Sequence, residues 1–426
     1  MSIYKISNPY KSVEGLIGNK ENHYKTNLHT HSTYSDANED MVTMINAFYD
    51  LDFDILAFAE HGLLGKPWDQ EPTLVPLYQF QNLWHGKRRH ITSEQYKEIL
   101  DGTYKTPAGK RTKSRGLQSV TNAIEANMLT LVKNHVNGYF TDDRTENICG
   151  KENDFETPVR KIHESGGLSH INHPTDWLQA IKYPDCADKE ENIAFFADIL
   201  RKYPSCLGIE VLNLYDIVNY CDRILWDNLL KRLIPEGKRS VWGFGNSDAH
   251  ETKHADEAFM DFVLPEYNEE IFRKAMETGT FFAVARHAKL ELGEDFRAEG
   301  DVPVVTKINV DDENDTITVK AESCTSIQWI ADGKIIKSDE TENQGEITSV
   351  ISLADFKDDI SCYVRFQVKG KGGILMAQPF TLDDGDMQRF VVKSPAPLPK
   401  TRKEKLKKKL IDTRLGVVVD RFILGH

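Results

Sequence analysis

No apolar run in the 426 residues reaches the length of about 18 that a membrane-spanning helix needs, and Met1-Ser2-Ile3-Tyr4-Lys5 leads into no apolar signal core. The expectation is a cytoplasmic chain without membrane contact. Cysteine is sparse and scattered: Cys149, Cys186, Cys206, Cys221, Cys324 and Cys362 form no C-x-x-C pair. They read as buried or free thiols in a reducing compartment rather than as a disulfide frame. Neither G-x-S-x-G nor a phosphate-cradling glycine loop occurs, so a serine nucleophile and a nucleoside-triphosphate machine have no support. Positive charge is the minority. With 53 Lys and Arg against 66 Asp and Glu, the net charge of −13 argues against nucleic acid as a partner for the whole surface. What is present is a chain 40% hydrophobic and 28% charged, long enough for two domains with cores of their own.

The chain is organised around residues 27–36, Asn-Leu-His-Thr-His-Ser-Thr-Tyr-Ser-Asp. On a strand, residues two apart share a face, so His29 and His31 present two imidazoles side by side, with Asp36 where the chain turns back over them. Two nitrogens and an oxygen converging there begin a divalent metal site. A helix follows over residues 40–50, with Met41, Met44, Ile45 and Phe48 on one face. A buried strand over 55–59 then ends in Glu60-His61-Gly62. Residues 63–116 form a long insertion, with one helix near 93–100 and basic clusters at 87–90 and 110–115. The insertion reads first as a solvated loop with ordinary surface charge; the alternative is a substrate loop, which insertions after barrel strands commonly carry, with a basic residue to hold a second phosphate. Further strands bring Glu125, His135 and His173, and the last ends in Asp248 and His250, again two apart. Seven strands with helices between, and ligand types near the strands' carboxyl ends, predict a parallel α/β barrel with its chemistry at that face.

His29-Thr30-His31, Ala59-Glu60-His61, Glu125, His135, Asn172-His173-Pro174 and Ser247-Asp248-Ala249-His250 stand in order, and with them the chain resembles the PHP (polymerase and histidinol phosphatase) family of metal-dependent phosphoesterases over about residues 25–290. The resemblance implies a distorted (β/α)7 barrel holding two or three divalent metals. It implies that His29, His31, Glu125 and Asp248 hold one metal, that Glu125, His135 and His173 hold the second with Glu125 bridging, and that Asp36, His61 and His250 hold the third. Glu125 and Asp248 are accordingly the catalytic candidates. Two features depart from the family: Glu60 stands where Asp is frequent, and the insertion after His61 is long. Mixed imidazole and carboxylate ligands suit Zn, Mn or Fe better than Ca or Mg. Such metals lower the pKa of a coordinated water towards about 7, and they neutralise phosphate charge.

His170 is expected to pack or to support the ligands rather than to bind metal, and Glu210 to be structural, orienting Asn213 or a neighbouring backbone group. His23, His85, His90, His163, His254, His287 and His426 match no motif and read as surface or structural. Ala258 onward gives a strand, then a helix capped by Asn268 and closed by Gly279. Beyond about Pro303 the period becomes two, with short strands and turn signals such as Asp332-Gly333, which predicts an immunoglobulin-like β-sandwich. Cys324 and Cys362 are expected to be free thiols within it. The division is therefore a barrel over 1–290, a sandwich over 291–394 and a tail over 395–426. From Ala396 that tail holds nine Lys or Arg against three Asp or Glu, which suggests docking on the acidic body. The function that follows is hydrolysis of a small phosphomonoester. The alternatives are a nuclease acting on nucleic-acid ends and a non-catalytic module with a structural metal cluster.

Overall fold

The computed structural model describes residues 2–72, 88–126, 134–142 and 154–392, apart from 215, 217 and 238. The basic tail, Cys149, His85, His426 and part of the insertion lie outside the described residues. Among the described residues no helix is long and apolar enough to cross a membrane.

The architecture is mixed α/β. Strand β1 (Lys5–Ser7) precedes β2 (His23–Asn27), helix α1 (Met41–Asp50), β3 (Ile55–Leu56), α2 (Ser93–Asp101) and β4 (Gln118–Ser119). Asp40 caps α1 by accepting from the Thr43 N–H, and Met41, Met44, Ile45 and Phe48 are buried, as the spacing predicts. Strands β2, β3 and β4 pair in parallel. A second sheet has the order β5 (Ile124–Ala126), β6 (Val136–Tyr139), β7 (Leu168–Ile171), β8 (Cys206–Asn213) and β9 (Trp242–Asn246). Between its last strands run α3 (Glu156–Glu164), α4 (Pro174–Trp177), α5 (Glu190–Lys202) and α6 (Asp222–Gly237). Two isolated parallel bridges, His61 with Glu125 and Thr30 with Ala249, connect this sheet to the ends of β3 and β2. One apolar cluster draws on both sheets, with Tyr24, Leu28, Ile55, Tyr139, Leu168, Phe244 and Phe281 all buried.

The expected all-parallel order needs one correction. Strand β6 pairs antiparallel with both β5 and β7, whereas β7, β8 and β9 run parallel. Only residues 127–135 separate β5 from β6, which is too short for the crossover a parallel pair requires. His135 therefore stands at the amino end of a reversed strand, yet at the same end of the sheet as its partners' carboxyl ends.

After β9 come β10 (Ala258–Val263), α7 (Glu269–Thr278), β11 (Phe281–Ala285) and α8 (Lys289–Leu292). Asn268 and Gly279 cap α7 as expected, with Gly279 at φ 73°. The period-two region forms antiparallel strands β12 (Val304–Asp311), β13 (Thr316–Ala331), β14 (Lys334–Ser352), β15 (Tyr363–Gly370), β16 (Gly373–Ala377) and β17 (Phe380–Asp383). The sequence pattern breaks this region into short strands, of which residues 316–321 and 326–330 are one, β13, because bulges around Cys324 absorb the register shift without ending the ladder. Asp332 and Gly333, at φ 52° and 78°, make the two-residue turn into β14. Strand β16 pairs with β11, and β17 with β1, so the ladders of the first and last strands are continuous. Cys324 and Cys362 are free, buried thiols.

The basic cluster at 110–115 turns out to serve the fold. Arg111 Nη1 donates to the carbonyls of Tyr49 (2.9 Å) and Phe53 (3.0 Å), and Lys113 Nζ lies 2.5 Å from Asp54 Oδ2. Asp54 immediately precedes β3, at the strand end opposite His61. These cations are therefore remote from the ligand face. Arg88, from the other cluster, donates through Nε to the Thr33 carbonyl at 3.0 Å and so lies at that face.

Candidate metal centre

Beyond β2 the chain leaves the ladder but stays held. Thr30 Oγ1 and the His31 N–H both donate to the Ala249 carbonyl at 3.0 Å, which sets the first motif beside the last. His29 and His31 are fully buried, with ring centroids 5.2 Å apart. The Ser32–Asp36 loop is tied to the second motif because the hydroxyls of Ser32 and Ser35 both donate to Glu60. Asp36 then lies between His61 (Nε2 to Oδ2, 3.3 Å) and His250 (Nε2 to Oδ1, 3.2 Å). Glu60 thus holds both serines.

Glu125 sits at the middle. Its Oε1 lies 3.2 Å from His29 Nε2 and 3.1 Å from His135 Nδ1, and its Oε2 lies 2.8 Å from His61 Nδ1 and 3.3 Å from His31 Nε2. Asn172 Nδ2 donates to Oε1 at 2.6 Å and fixes the carboxylate plane. Asp248 Oδ1 lies 3.3 Å from His29 Nε2 and 3.2 Å from His31 Nε2. His173 stands further back, its Nε2 3.8 Å from Glu125 and 3.9 Å from Asp248. His173 and Asp248 both adopt positive φ, 26° and 47°, a conformation that costs a non-glycine residue about 1–3 kcal/mol and is typical of functional sites.

Three groups of potential ligand atoms emerge: His31, Asp36, His61 and His250; His29, His31 and Asp248; and His61, Glu125 and His135. All nine residues named from the sequence lie within this one neighbourhood. The grouping differs from the implied one in three respects, the first being that Glu125 stands in one group and not in two. His31 and His61 are each shared between groups, and His61 rather than His173 joins Glu125 and His135.

The electrostatics fit cations. Among the described residues, Asp36, Glu125 and Asp248 form ion pairs with histidines alone, with no lysine or arginine. Burial would raise the carboxyl pKa of Glu125, but His135, His61 and His29 hold it well below the ordinary range. Burial would likewise raise Asp248, which His29 and its neighbours hold well down. For His29 and His61 burial opposes charge, yet the surrounding carboxylates push both pKa values well above the usual imidazole range. His29 Nε2, His31 Nε2, His61 Nδ1, His135 Nε2 and Glu125 Oε2 are buried and make no hydrogen bond. Orphaned buried polar atoms are rare, and a set of imidazole nitrogens and carboxylate oxygens facing common points is what divalent cations require.

His170 packs as expected, stacked on Phe244 at 4.3 Å. Glu210, read from sequence as structural, does orient Asn213 (3.0 Å), but it also lies 2.8 Å from His29 Nδ1. A lone carboxylate in the buried run Gly-Ile-Glu-Val-Leu could have signalled that role, since such a charge must be paired. His23 is structural, its Nδ1 2.7 Å from Asp261 and its Nε2 2.8 Å from the Ile17 carbonyl.

No family profile matches the chain, and no curated protein does. Solved structures that match include a two-domain protein containing predicted PHP-like metal-dependent phosphoesterase from Bacteroides vulgatus, at 14% identity and TM-score 0.41, covering 84% of this chain and 96% of that one. Endonuclease Q in complex with a 27-mer duplex substrate with an abasic lesion matches at 14% identity and TM-score 0.33, covering 95% and 84%. The lesion-specific endonuclease PfuEndoQ from Pyrococcus furiosus matches at 14% identity and TM-score 0.31, covering 94% and 90%. In its ordered motifs and in the convergence of their ligand atoms, the chain resembles the PHP-type metal-dependent phosphoesterases.

Proposed function

We propose that this chain is a metal-dependent hydrolase of small phosphomonoesters such as a nucleotide, a nucleoside bisphosphate, or a sugar or amino-alcohol phosphate. The observation that carries the reading is the overlap of the three ligand groups through His31 and His61. Shared residues put two or three cation positions side by side, and adjacent cations are what phosphoryl transfer to water uses. A structural site would be closed by four ligands, whereas eight residues make up the overlapping groups here, with His173 set behind them. Bound Zn, Mn or Fe would supply Lewis acidity and an activated water. The chain's own residues do the rest. Glu125 places its charge between the groups, with Asn172 holding its plane. Asp248 stands beside His29 and Asp36 beside His250, and the burial of His29, His31, Glu125 and His61 limits competing solvent.

The barrel reading is supported by the two isolated bridges. With them, β2, β3, β5, β6, β7, β8 and β9 follow one another around a ring of seven. The sandwich reading for 291–394 is supported by the antiparallel pairing of β12 through β17. The test is a phosphate-release screen over small phosphomonoesters, using protein loaded with Mn or Zn. At least one monoester should be turned over, and a chelator should abolish the activity. No turnover of any monoester, together with cleavage of nucleic-acid ends, would replace this reading with the nuclease one.

A further inference from the structure

Glu210 lies in the middle of β8, fully buried, where a register shift between Glu210 and Leu212 re-aims the strand. Its carboxylate collects donors from four elements. Oε1 faces His29 Nδ1 at 2.8 Å, Asn246 Nδ2 at 3.0 Å and His170 Nε2 at 3.4 Å. Oε2 accepts from Asn213 Nδ2 at 3.0 Å and from the His173 backbone N–H at 3.2 Å. The two amide Nδ2 groups and the His173 N–H can only donate, so both oxygens of Glu210 act as acceptors.

Four of these five donors lead to a candidate ligand; His170 does not. A partner that only accepts requires the proton of neutral His29 on Nδ1, which leaves the Nε2 lone pair facing Glu125 and Asp248. Asn246, which bonds Glu210, also accepts from the Leu28 N–H at 2.9 Å and so fixes the residue before His29. The N–H bond to His173 holds a backbone at φ 26°. Asn213 Nδ2 lies 3.4 Å from Asp248 Oδ2 as well.

We infer that Glu210 is a positioning residue that sets the tautomer and aim of His29 and the placement of His173 and Asp248, so that the His29, His31, Asp248 group is assembled before a cation arrives. The inference rests on the reading that this group holds metal. An outer carboxylate on a ligating histidine fixes ring orientation and basicity, and its loss typically costs about 10–100-fold in metal affinity.

The test compares Glu210→Gln and Glu210→Asp with wild type, using the full chain stripped of metal and titrated with Zn²⁺ against a chelator and with Co²⁺ followed by its visible absorption. Near-UV circular dichroism and melting of the metal-free proteins report folding. Expected is a weakening of one cation by about 10–100-fold in Glu210→Gln, with the other cation and the metal-free melting temperature little changed. Glu210→Asp should be no better, because it keeps the charge but falls a methylene short of His29. Unchanged affinity in folded Glu210→Gln overturns the inference. So does full rescue by Asp, which would make the effect one of charge alone, and so does joint loss of all cations with a falling melting temperature, which would make it one of general stability. Should neither variant fold, Asn213→Ala is expected to weaken the same cation severalfold, and no change there overturns the inference. A wild type that binds no cation sinks the reading of the site, and this inference with it.

Discussion

Two clusters of buried charge in this molecule are built from similar parts and end differently. Near the loop after β8, Arg223 on α6 meets Asp216 and Glu291. All of its N–H donors are used: Nε and Nη2 on Glu291 (both 2.9 Å), Nη1 and Nη2 on Asp216 (2.6 and 2.8 Å), and Nη1 again on the Val211 carbonyl (3.2 Å). The Lys289 N–H completes Asp216 at 2.6 Å. That cluster is closed by the chain itself. At the ligand face, Glu125, Asp248 and Asp36 form ion pairs, among the described residues, with imidazoles and with no lysine or arginine, and several atoms there lack hydrogen bonds. Burying charge is costly in both places, so the difference shows where the missing counter-charge has to come from. The arginine cluster needs nothing from outside. The histidine cluster calls for cations.

Removing the internal counter-charge should have the largest effect. Arg223→Met leaves Asp216 and Glu291 buried without a cation and is expected to destabilise the chain by about 3–5 kcal/mol in denaturant unfolding, with metal content per folded chain unchanged. Removing charge from the open cluster should do the reverse. Glu125→Gln keeps the volume but offers a neutral amide to two cations. At least one metal should be lost and phosphoester turnover should fall by roughly a hundredfold or more, while stability changes less. If the variant keeps every metal and the full rate, Glu125 does not join the groups and the contrast fails.

The smallest expected effect sharpens the comparison with a closed imidazole pair. Burial alone would lower the pKa of His23, but Asp261 raises it from the ordinary 6.5 to about 9. A raised folded-state pKa stabilises fully below 6.5, and that contribution is lost as pH climbs through about 9. Wild type should therefore exceed His23→Gln by on the order of 2 kcal/mol near neutral pH, with the gap closing by about pH 10. A gap that widens with pH would reverse the assignment.

Much of the site was legible because its signals are local. His29 and His31 are read as two apart on one strand; β2 ends at Asn27, yet the Thr30 bridge to Ala249 holds the segment so that both imidazoles face Glu125 and Asp248. Helix α7 was legible to the residue, since Asn268 and Gly279 carry its caps in sequence. What escaped depends on distant partners. The reversal of β6 follows from a short connection, and the sequence around His135 does not reveal it. The basic run at 110–115 reads as solvated surface charge or, alternatively, as part of a substrate loop, and neither reading foresees its bonds to Asp54, Tyr49 and Phe53. The sharing of His31 and His61 between groups, with His173 set back, depends on angles between strands that no spacing encodes.

The central claim is that the open cluster is completed by cations. Elemental analysis of full-length protein purified without chelator tests it directly. The account predicts two or three divalent transition metals per chain, lost together with hydrolytic activity on chelation. Fewer than one metal per chain in folded protein, even after incubation with Zn²⁺ or Mn²⁺, would contradict it.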